Sequence, residues 1–199
     1  MVHIVSALVE NHFGVLARVS GLFSARGFNI DSLAVGETED PSVSRMTIIV
    51  HGDERVLEQI MKQLNKLIDV IKVADLSQDQ KIERELVLIK VSAPASTRAD
   101  IMQVVSTFRG KVVDVSPKTI VVEVTGNKSK VDAMLELLRP FGIREVVRTG
   151  TVALSRTSEL KASDTAEGKQ PKSTGNAQEE KEVEKITKKG NARKAPAAK

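Results

Sequence analysis

One order of hydrophobic patterns occurs twice along this chain, and it restricts the possible folds more than any other feature. In residues 1–76, an alternating strand pattern is followed by a helical pattern, two strands, a second helix and a last strand. Residues 86–156 repeat that order. Strands and helices of this kind bury their apolar faces by packing on one another, so βαββαβ predicts two helices on one face of an antiparallel sheet.

We therefore predict an α+β protein with two tandem ferredoxin-like βαββαβ domains, at residues 1–76 and 86–156. The polar stretch 77–85 is the predicted linker. Residues 157–199 carry few large apolar side chains, which predicts a disordered Lys/Ala/Glu-rich tail. An arm that binds polyanions weakly is the alternative interpretation of the tail.

The element boundaries follow from periodicity and from turn residues. The predicted strands are 3–9, 29–38, 44–51, 70–76, 86–91, 111–116, 119–125 and 143–148. The predicted helices are 15–26, a helix after Asp53 with apolar residues from Val56 to Ile68 on one face, 98–108 and 128–139.

Composition excludes several classes of function. The chain has no cysteine, so disulfides, thiolate metal sites and cysteine nucleophiles are impossible. It has no apolar run long enough to span a membrane, and its first residues show no leader pattern, so we expect a cytoplasmic protein. Residues 157–199 hold 10 Lys and Arg against 7 Asp and Glu, which leaves residues 1–156 with a net charge of only +1. Nucleic-acid binding by the folded part is therefore not expected.

The first candidate site is the turn between the first strand and the first helix. Gly14 allows a close approach of the backbone, and the amides of Gly14, Val15 and Leu16 lie at a helix N-terminus, where anions bind. With Asn11 they are predicted to hold a carboxylate. A phosphate is less favoured because the turn contains no Lys or Arg, the nearest being Arg18. An ordinary tight connection is the alternative.

The second candidate site is the start of the next strand, where Asn29 and the backbone of Ile30 could contact a ligand. A plain strand start after Gly27 is the alternative. The predicted helix 15–26 separates the two candidates by about 18 Å. A small ligand cannot bridge them within one chain, so a shared site predicts a homodimer with two symmetry-related interface sites.

Other candidates are weaker. His3 and His51 lie on predicted neighbouring strands, where their rings could approach each other, but no third ligand supports a metal site. The sequence contains no nucleophile–base pair and no carboxylate dyad, so we predict no catalytic residues and no catalysis by this chain alone.

Several longer runs resemble one family. Residues 1–76 resemble an ACT domain, a ferredoxin-like module that binds amino acids between subunits. The runs GVLARVSGLFSARGFNIDSLAVG, SRMTIIVHGD, LEQIMKQLNKL, RELVLIKV and FRGKVVDV, with the ending GTVALSR, are similar to the regulatory small subunit of acetolactate (acetohydroxyacid) synthase. Phe13 departs from the family pattern, which has proline or a smaller residue there.

The resemblance implies a non-catalytic partner of a large catalytic subunit. That subunit uses thiamine diphosphate, with Mg²⁺ and FAD also expected in it, and begins valine, leucine and isoleucine synthesis; no cofactor is expected in this chain. The small subunit activates the large one and confers feedback inhibition by a branched-chain amino acid, usually valine. The resemblance places Asn11, Gly14, Val15 and Leu16 of one chain and Asn29 and Ile30 of its partner around that effector.

Two other functions remain open at this point. The chain could be an ACT-type amino-acid sensor of another metabolic enzyme, against which only the second domain and the GTVALSR ending argue. It could also be an RNA-binding ferredoxin-like module, but the strand segments HIVSALV and SRMTIIV carry none of the aromatic residues that such modules use.

Overall fold

The first half of the chain folds into one antiparallel sheet with two helices, as predicted. The computed structural model describes residues 1–156, and the predicted disordered tail 157–199 lies outside them. The strand order is β2-β3-β1-β4, so β2 is an edge strand. The elements are β1 Val2–Glu10, α1 Val15–Ala25, β2 Ser32–Glu37, β3 Val43–His51, α2 Glu54–Leu64 and β4 Val70–Asp75.

The second half repeats this arrangement, with the strand order β6-β7-β5-β8 and a further strand, β9, paired with β5. The sequence predicted the repeated βαββαβ order, and the structure confirms it. The elements are β5 Lys81–Ser92, α3 Arg98–Thr107, β6 Lys111–Val115, β7 Thr119–Gly126, α4 Lys128–Leu138, a 3₁₀ turn Arg139–Phe141, β8 Ile143–Arg148 and β9 Val152–Ser155.

Each half has its own hydrophobic core, because alternate residues of its central strands face the two helices. In the first half the core side chains include Val5, Ala7, Val19, Phe23, Ile48, Ile60 and Leu64. In the second half they include Val87, Ile89, Val105, Val122, Val131 and Met134. Both halves belong to one compact unit.

Two predicted boundaries are wrong. Strand β2 begins at Ser32 rather than residue 29, because Phe28 packs edge-on against Phe23 of α1, with ring centroids 6.4 Å apart. The chain at Asn29 and Ile30 is therefore a loop. Residues 81–85, assigned to the linker, are the beginning of strand β5. Their side chains are mostly charged, so composition suggested a linker where the backbone forms a strand.

Strand β9 joins the second half to the first, and the sequence analysis did not predict it. It pairs with the beginning of β5. Ala153 lies in a small buried cluster with Ile4 and Leu76 of the first half, and the partly buried Ile49 packs against this cluster. The amide of Thr151 donates to Ser32 Oγ at 3.0 Å. The GTVALSR ending thus covers part of the sheet face opposite to the helices.

The two strand histidines do not approach each other, although their strands are antiparallel neighbours as predicted. His3 is opposite Val50, whereas His51 is opposite Val2. Opposed residues share a sheet face and successive residues alternate, so the rings lie on opposite faces. His3 is buried, with Nε2 3.2 Å from the carbonyl oxygen of Gly52, and His51 pairs with Asp31.

Gly150 offers a test of the contact between the halves. Its φ is +84°, and an added Cβ would lie 3.0 Å from Ser32 Oγ and 3.1 Å from the carbonyl oxygen of Leu33. Gly150→Ala should lower the free energy of unfolding by about 1–3 kcal/mol, since it adds backbone strain and crowding. Urea denaturation followed by far-ultraviolet circular dichroism measures the change.

The matched control is Gly21→Ala, on the exposed side of α1 with no atom within 4 Å of the added Cβ. It should raise the free energy of unfolding by up to about 1 kcal/mol, because alanine favours a helix over glycine. Equal effects of the two substitutions would contradict the tight contact at Gly150.

The Asp31–His51 pair predicts a pH dependence. The hydrogen bond from His51 lowers the pKa of the Asp31 carboxyl below its ordinary value. A lowered carboxyl pKa means that the stabilisation is complete above the ordinary value and is lost as pH falls through the lowered one. In His51→Gln the pKa of Asp31 should rise, as measured by carboxyl-carbon NMR titration. An unchanged Asp31 titration would show that the pair does not form in solution.

Candidate functional site

The turn before α1 carries a set of unpaired amides. Gly14 is the N-cap residue, with φ of +90°, and no side chain caps the helix. Within residues 1–156, the amides of Gly14, Val15, Leu16 and Ala17 have no hydrogen-bond partner. Unpaired amides at a helix N-terminus carry partial positive charge and point outward, so this turn is suited to bind a carboxylate or another anion.

Arg18 is closer to this turn than its sequence position suggested. Its Nη2 lies 3.8 Å from the position that a Cβ on Gly14 would take, and its Nη1 pairs with the buried carboxylate of Asp69. The turn therefore has a cation beside it, which the sequence analysis did not expect. Asp69 neutralises this cation, so the positive character of the turn comes mainly from its amides.

The side chain of Asn11 faces the end of β2 rather than the helix terminus. Its amide nitrogen donates to Glu37 Oε1 at 3.1 Å and to the carbonyl oxygen of Pro41 at 2.9 Å. Both of its hydrogens are used in this way, which leaves the side-chain oxygen Oδ1 as the atom it can offer. A carbonyl oxygen accepts a hydrogen bond, so Asn11 suits an ammonium group better than a carboxylate.

Asn29 and Ile30 lie in the loop that precedes β2. The Asn29 amide nitrogen donates to Asp31 Oδ1 at 2.8 Å, and Ile30 packs its side chain partly against the first core. Within residues 1–156, the backbone amides of Asn29 and Ile30 have no hydrogen-bond partner. The loop thus offers two unpaired backbone donors, at the exposed Asn29 and the half-buried Ile30.

The structure does not bring the two candidate groups together within one chain. They lie at opposite ends of α1, whose 11 residues correspond to about 16 Å. They also flank the edge strand β2: Asn11 reaches Glu37 at its end, and Asn29 contacts Asp31 just before its beginning.

Apolar side chains are exposed near the turn and on the edge strand. Phe13 is 99% exposed, and Leu16 and Val35 are each 46% exposed. Exposed apolar groups on and beside an edge strand are typical of a contact surface.

His12 was not among the predicted site residues, yet it contacts three groups at the turn. Its Nδ1 lies 3.1 Å from the carbonyl oxygen of Phe13, and its Nε2 lies 3.1 Å from Glu10 and 3.2 Å from Asp69. The bond to Phe13 and these two carboxylates raise the pKa of His12. No local sequence signal could have found this cluster, because Asp69 is remote along the chain.

A separate cleft of about 620 Å³ lies between the two halves. Its walls include Asp31 and His51 from the first half and Lys128 and Arg148 from the second. It adjoins the beginning of β2, whereas the Gly14 turn lies near the end of that strand. The cleft is therefore distinct from the Gly14 turn.

No helix among the described residues has the length and apolarity needed to cross a bilayer.

Two family models match consecutive parts of the chain. The model described as "AHAS small subunit-like ACT domain" matches residues 5–72. The model described as "Small subunit of acetolactate synthase" matches residues 84–157. The matches correspond to the two structural halves.

Curated relatives match along the same region. The "Probable acetolactate synthase small subunit" of Methanothermobacter thermautotrophicus is 60% identical over 157 residues, covering 78% of this chain and 94% of the relative. The "Acetolactate synthase small subunit" of Aquifex aeolicus is 52% identical over 160 residues, covering 80% of this chain and 83% of the relative.

A solved structure agrees with the family models and with the curated relatives. The crystal structure of the acetolactate synthase small subunit from Thermotoga maritima superposes with a TM-score of 0.72 at 44% identity, covering 80% of this chain and 99% of that one. These matches confirm the resemblance seen in the sequence: the chain belongs to the acetolactate synthase small-subunit family.

Proposed function

We propose that this chain binds a branched-chain amino acid, with valine as the first candidate, between the ACT domains of a homodimer. In this proposal it activates the large catalytic subunit of acetolactate synthase and makes that subunit sensitive to feedback inhibition. The observation that carries the proposal is the pair of open donor groups, at the Gly14 turn and at Asn29–Ile30, at opposite ends of α1.

The edge strand shows how two chains would complete a site. If β2 of one chain pairs antiparallel with β2 of its partner about a two-fold axis, Glu37 of one chain lies opposite Ser32 of the other. The Gly14 turn reaches the Glu37 end through Asn11, and Asn29 precedes the Ser32 end. The symmetric pairing therefore brings each turn close to the partner's loop and forms two equivalent sites.

The chemistry of these groups fits a free amino acid. The carboxylate would bind the amides of Gly14, Val15 and Leu16, and the ammonium group would face the free oxygen of Asn11. Backbone groups of Asn29 and Ile30 from the partner would complete the polar contacts. Phe13 and Leu16 supply apolar surface for a branched side chain.

Regulation requires more than binding. The effector shifts the enzyme only if it binds the inhibiting arrangement of the small subunits more tightly than the activating one. In this proposal the change passes to the large subunit, which carries the thiamine diphosphate, Mg²⁺ and FAD. The chain itself performs no chemistry.

Family membership favours this function over an amino-acid sensor of a different enzyme, since the second half also matches the small-subunit family. Co-purification from the native host decides the matter: a tagged chain should retain the large subunit. Retention of a different enzyme, with no large subunit bound, would support the alternative.

Gly14→Asp should abolish the valine response and retain activation of the large subunit. The substitution places a negative charge at the carboxylate site, and two like charges about 4 Å apart repel by about 1–4 kcal/mol. We therefore expect valine binding measured by calorimetry to weaken by at least about fivefold. Gly14→Ala separates the effect of the added charge on valine binding from the effect of backbone strain, because alanine introduces the same strain and no charge.

The matched control is Gly142→Asp in the second half. Gly142 has φ of +89°, against +90° for Gly14, and its added Cβ would meet Ser92 at 3.7 Å. It should leave valine binding unchanged. Asn29→His should act like Gly14→Asp, and the double variant should add little because both residues belong to one site. A normal valine response in Gly14→Asp would refute the site.

Val35→Lys should weaken the dimer. A lysine on an edge strand opposes strand pairing, and two such charges would lie near the two-fold axis. We expect at least a tenfold rise in the dimer dissociation constant by sedimentation equilibrium. Val113→Lys is the control, since Val113 is a 51% exposed valine on β6, an edge strand of the other sheet. Equal dissociation constants in both variants would exclude pairing through β2.

A further inference from the structure

Three metal-ligating side chains meet beside the Gly14 turn. Glu10 ends β1, His12 lies in the turn, and Asp69 precedes β4. The backbone amide of Glu10 donates to the carbonyl oxygen of Asp69 at 2.9 Å, which holds the two strand ends together. One ligand atom from each of the three side chains lies within 4.8 Å of the other two.

The hydrogen bonds of His12 determine which ring nitrogen faces the carboxylates as an acceptor. Nδ1 lies 3.1 Å from the carbonyl oxygen of Phe13. A carbonyl only accepts, so Nδ1 carries a hydrogen. In the neutral ring Nε2 then has no hydrogen and carries a lone pair. It lies 3.1 Å from Glu10 Oε2 and 3.2 Å from Asp69 Oδ1. Three acceptor atoms this close repel one another unless a proton or a metal cation lies between them.

We propose that Glu10, His12 and Asp69 form a binding site for a divalent first-row transition-metal ion of the zinc class. One imidazole and two carboxylates are a ligand set that such ions accept. The site adjoins the Gly14 turn but uses none of the groups proposed to hold an amino acid, so the proposal stands whether or not the chain binds an effector.

The distances agree with coordination. Ligand atoms about 2.1 Å from a metal and at right angles to each other are about 3.0 Å apart, and at a tetrahedral angle about 3.4 Å apart. The two Nε2–oxygen distances of 3.1 and 3.2 Å lie between these values. The hydrogen bond from Nδ1 to a backbone carbonyl is the arrangement that orients most metal-binding histidines.

Charge and exposure also allow an ion to enter. Asp69 has a side chain only 6% exposed and forms the fixed wall, whereas the side chains of His12 and Glu10 are 45% and 50% exposed. Arg18 pairs with Asp69 Oδ2, so Oδ1 is left for the site. Glu10, Asp69 and Arg18 together carry one net negative charge, and water can supply the remaining ligands.

A proton is the competing occupant, because an imidazolium would donate from Nε2 to the two carboxylates. If only a proton occupies the cluster, His12 is a protonated histidine that forms ion pairs with Glu10 and Asp69. Metal binding must displace this proton, so metal affinity should decrease as pH falls.

The test is Zn²⁺ titration of the tag-free full chain by calorimetry and by NMR of the ring protons. The chain has only three histidines, so their signals can be assigned by substitution. We expect one Zn²⁺ per chain, a selective shift of the His12 signals, and proton release that varies with the ionisation enthalpy of the buffer.

His12→Gln should weaken Zn²⁺ binding by more than tenfold, since even the loss of a partner of a ligand costs about 10- to 100-fold. Glu10→Gln should also weaken it while keeping the fold. The matched control is His51→Gln, which removes an exposed histidine that also pairs with an aspartate and should leave Zn²⁺ affinity unchanged. Absence of Zn²⁺ binding, or equal affinity in His12→Gln and wild type, would show that the cluster holds only a proton.

Discussion

Strand β1 is buried on both of its faces, and the arrangement of both halves follows from this constraint. One face carries Val5, Ala7 and Val9 against the two helices. The other face carries Ile4 and Ser6, which are also buried. Helices of the first half cannot cover this second face, because they already lie on the first. Ala153 of β9 and Leu76 cover it near Ile4, so the last described strand completes the packing of the first.

The length of α1 is the second constraint. A helix of 11 residues keeps the turn before it and the loop after it too far apart for one small molecule, and both the turn and the loop retain unpaired amides. A single chain therefore presents two separate groups of unpaired amides, one near each end of the edge strand β2. Under the proposed function, this arrangement would link ligand binding to association: pairing of the β2 strands would assemble the sites, and a ligand bound there would stabilise the pair.

The sequence predicted the fold well because both cores have strong periodicity. Val5, Ala7 and Val9 alternate along β1, and Val15, Val19, Leu22 and Phe23 recur along α1. Residues 81–85 were assigned to the linker because their mostly charged side chains do not indicate a strand. Strand β9, which pairs with residues 81–84, is remote in sequence. The candidate turn was found from Gly14, whose φ is +90°. The sequence did not predict the roles of Asp69, Arg18 and His12, since these roles depend on contacts between residues remote along the chain.

Strand β5 takes part in two sheets, and this has a mechanical consequence. Its first four residues pair with β9, next to the first half, and its later residues pair with β7 and β8. Twelve residues extend about 40 Å as one hydrogen-bonded rod. A rotation of about 10° at the end near Lys81 would displace the end near Ser92 by about 7 Å. A rigid strand of this length would turn a small angular change near Lys81 into a larger linear movement near Ser92.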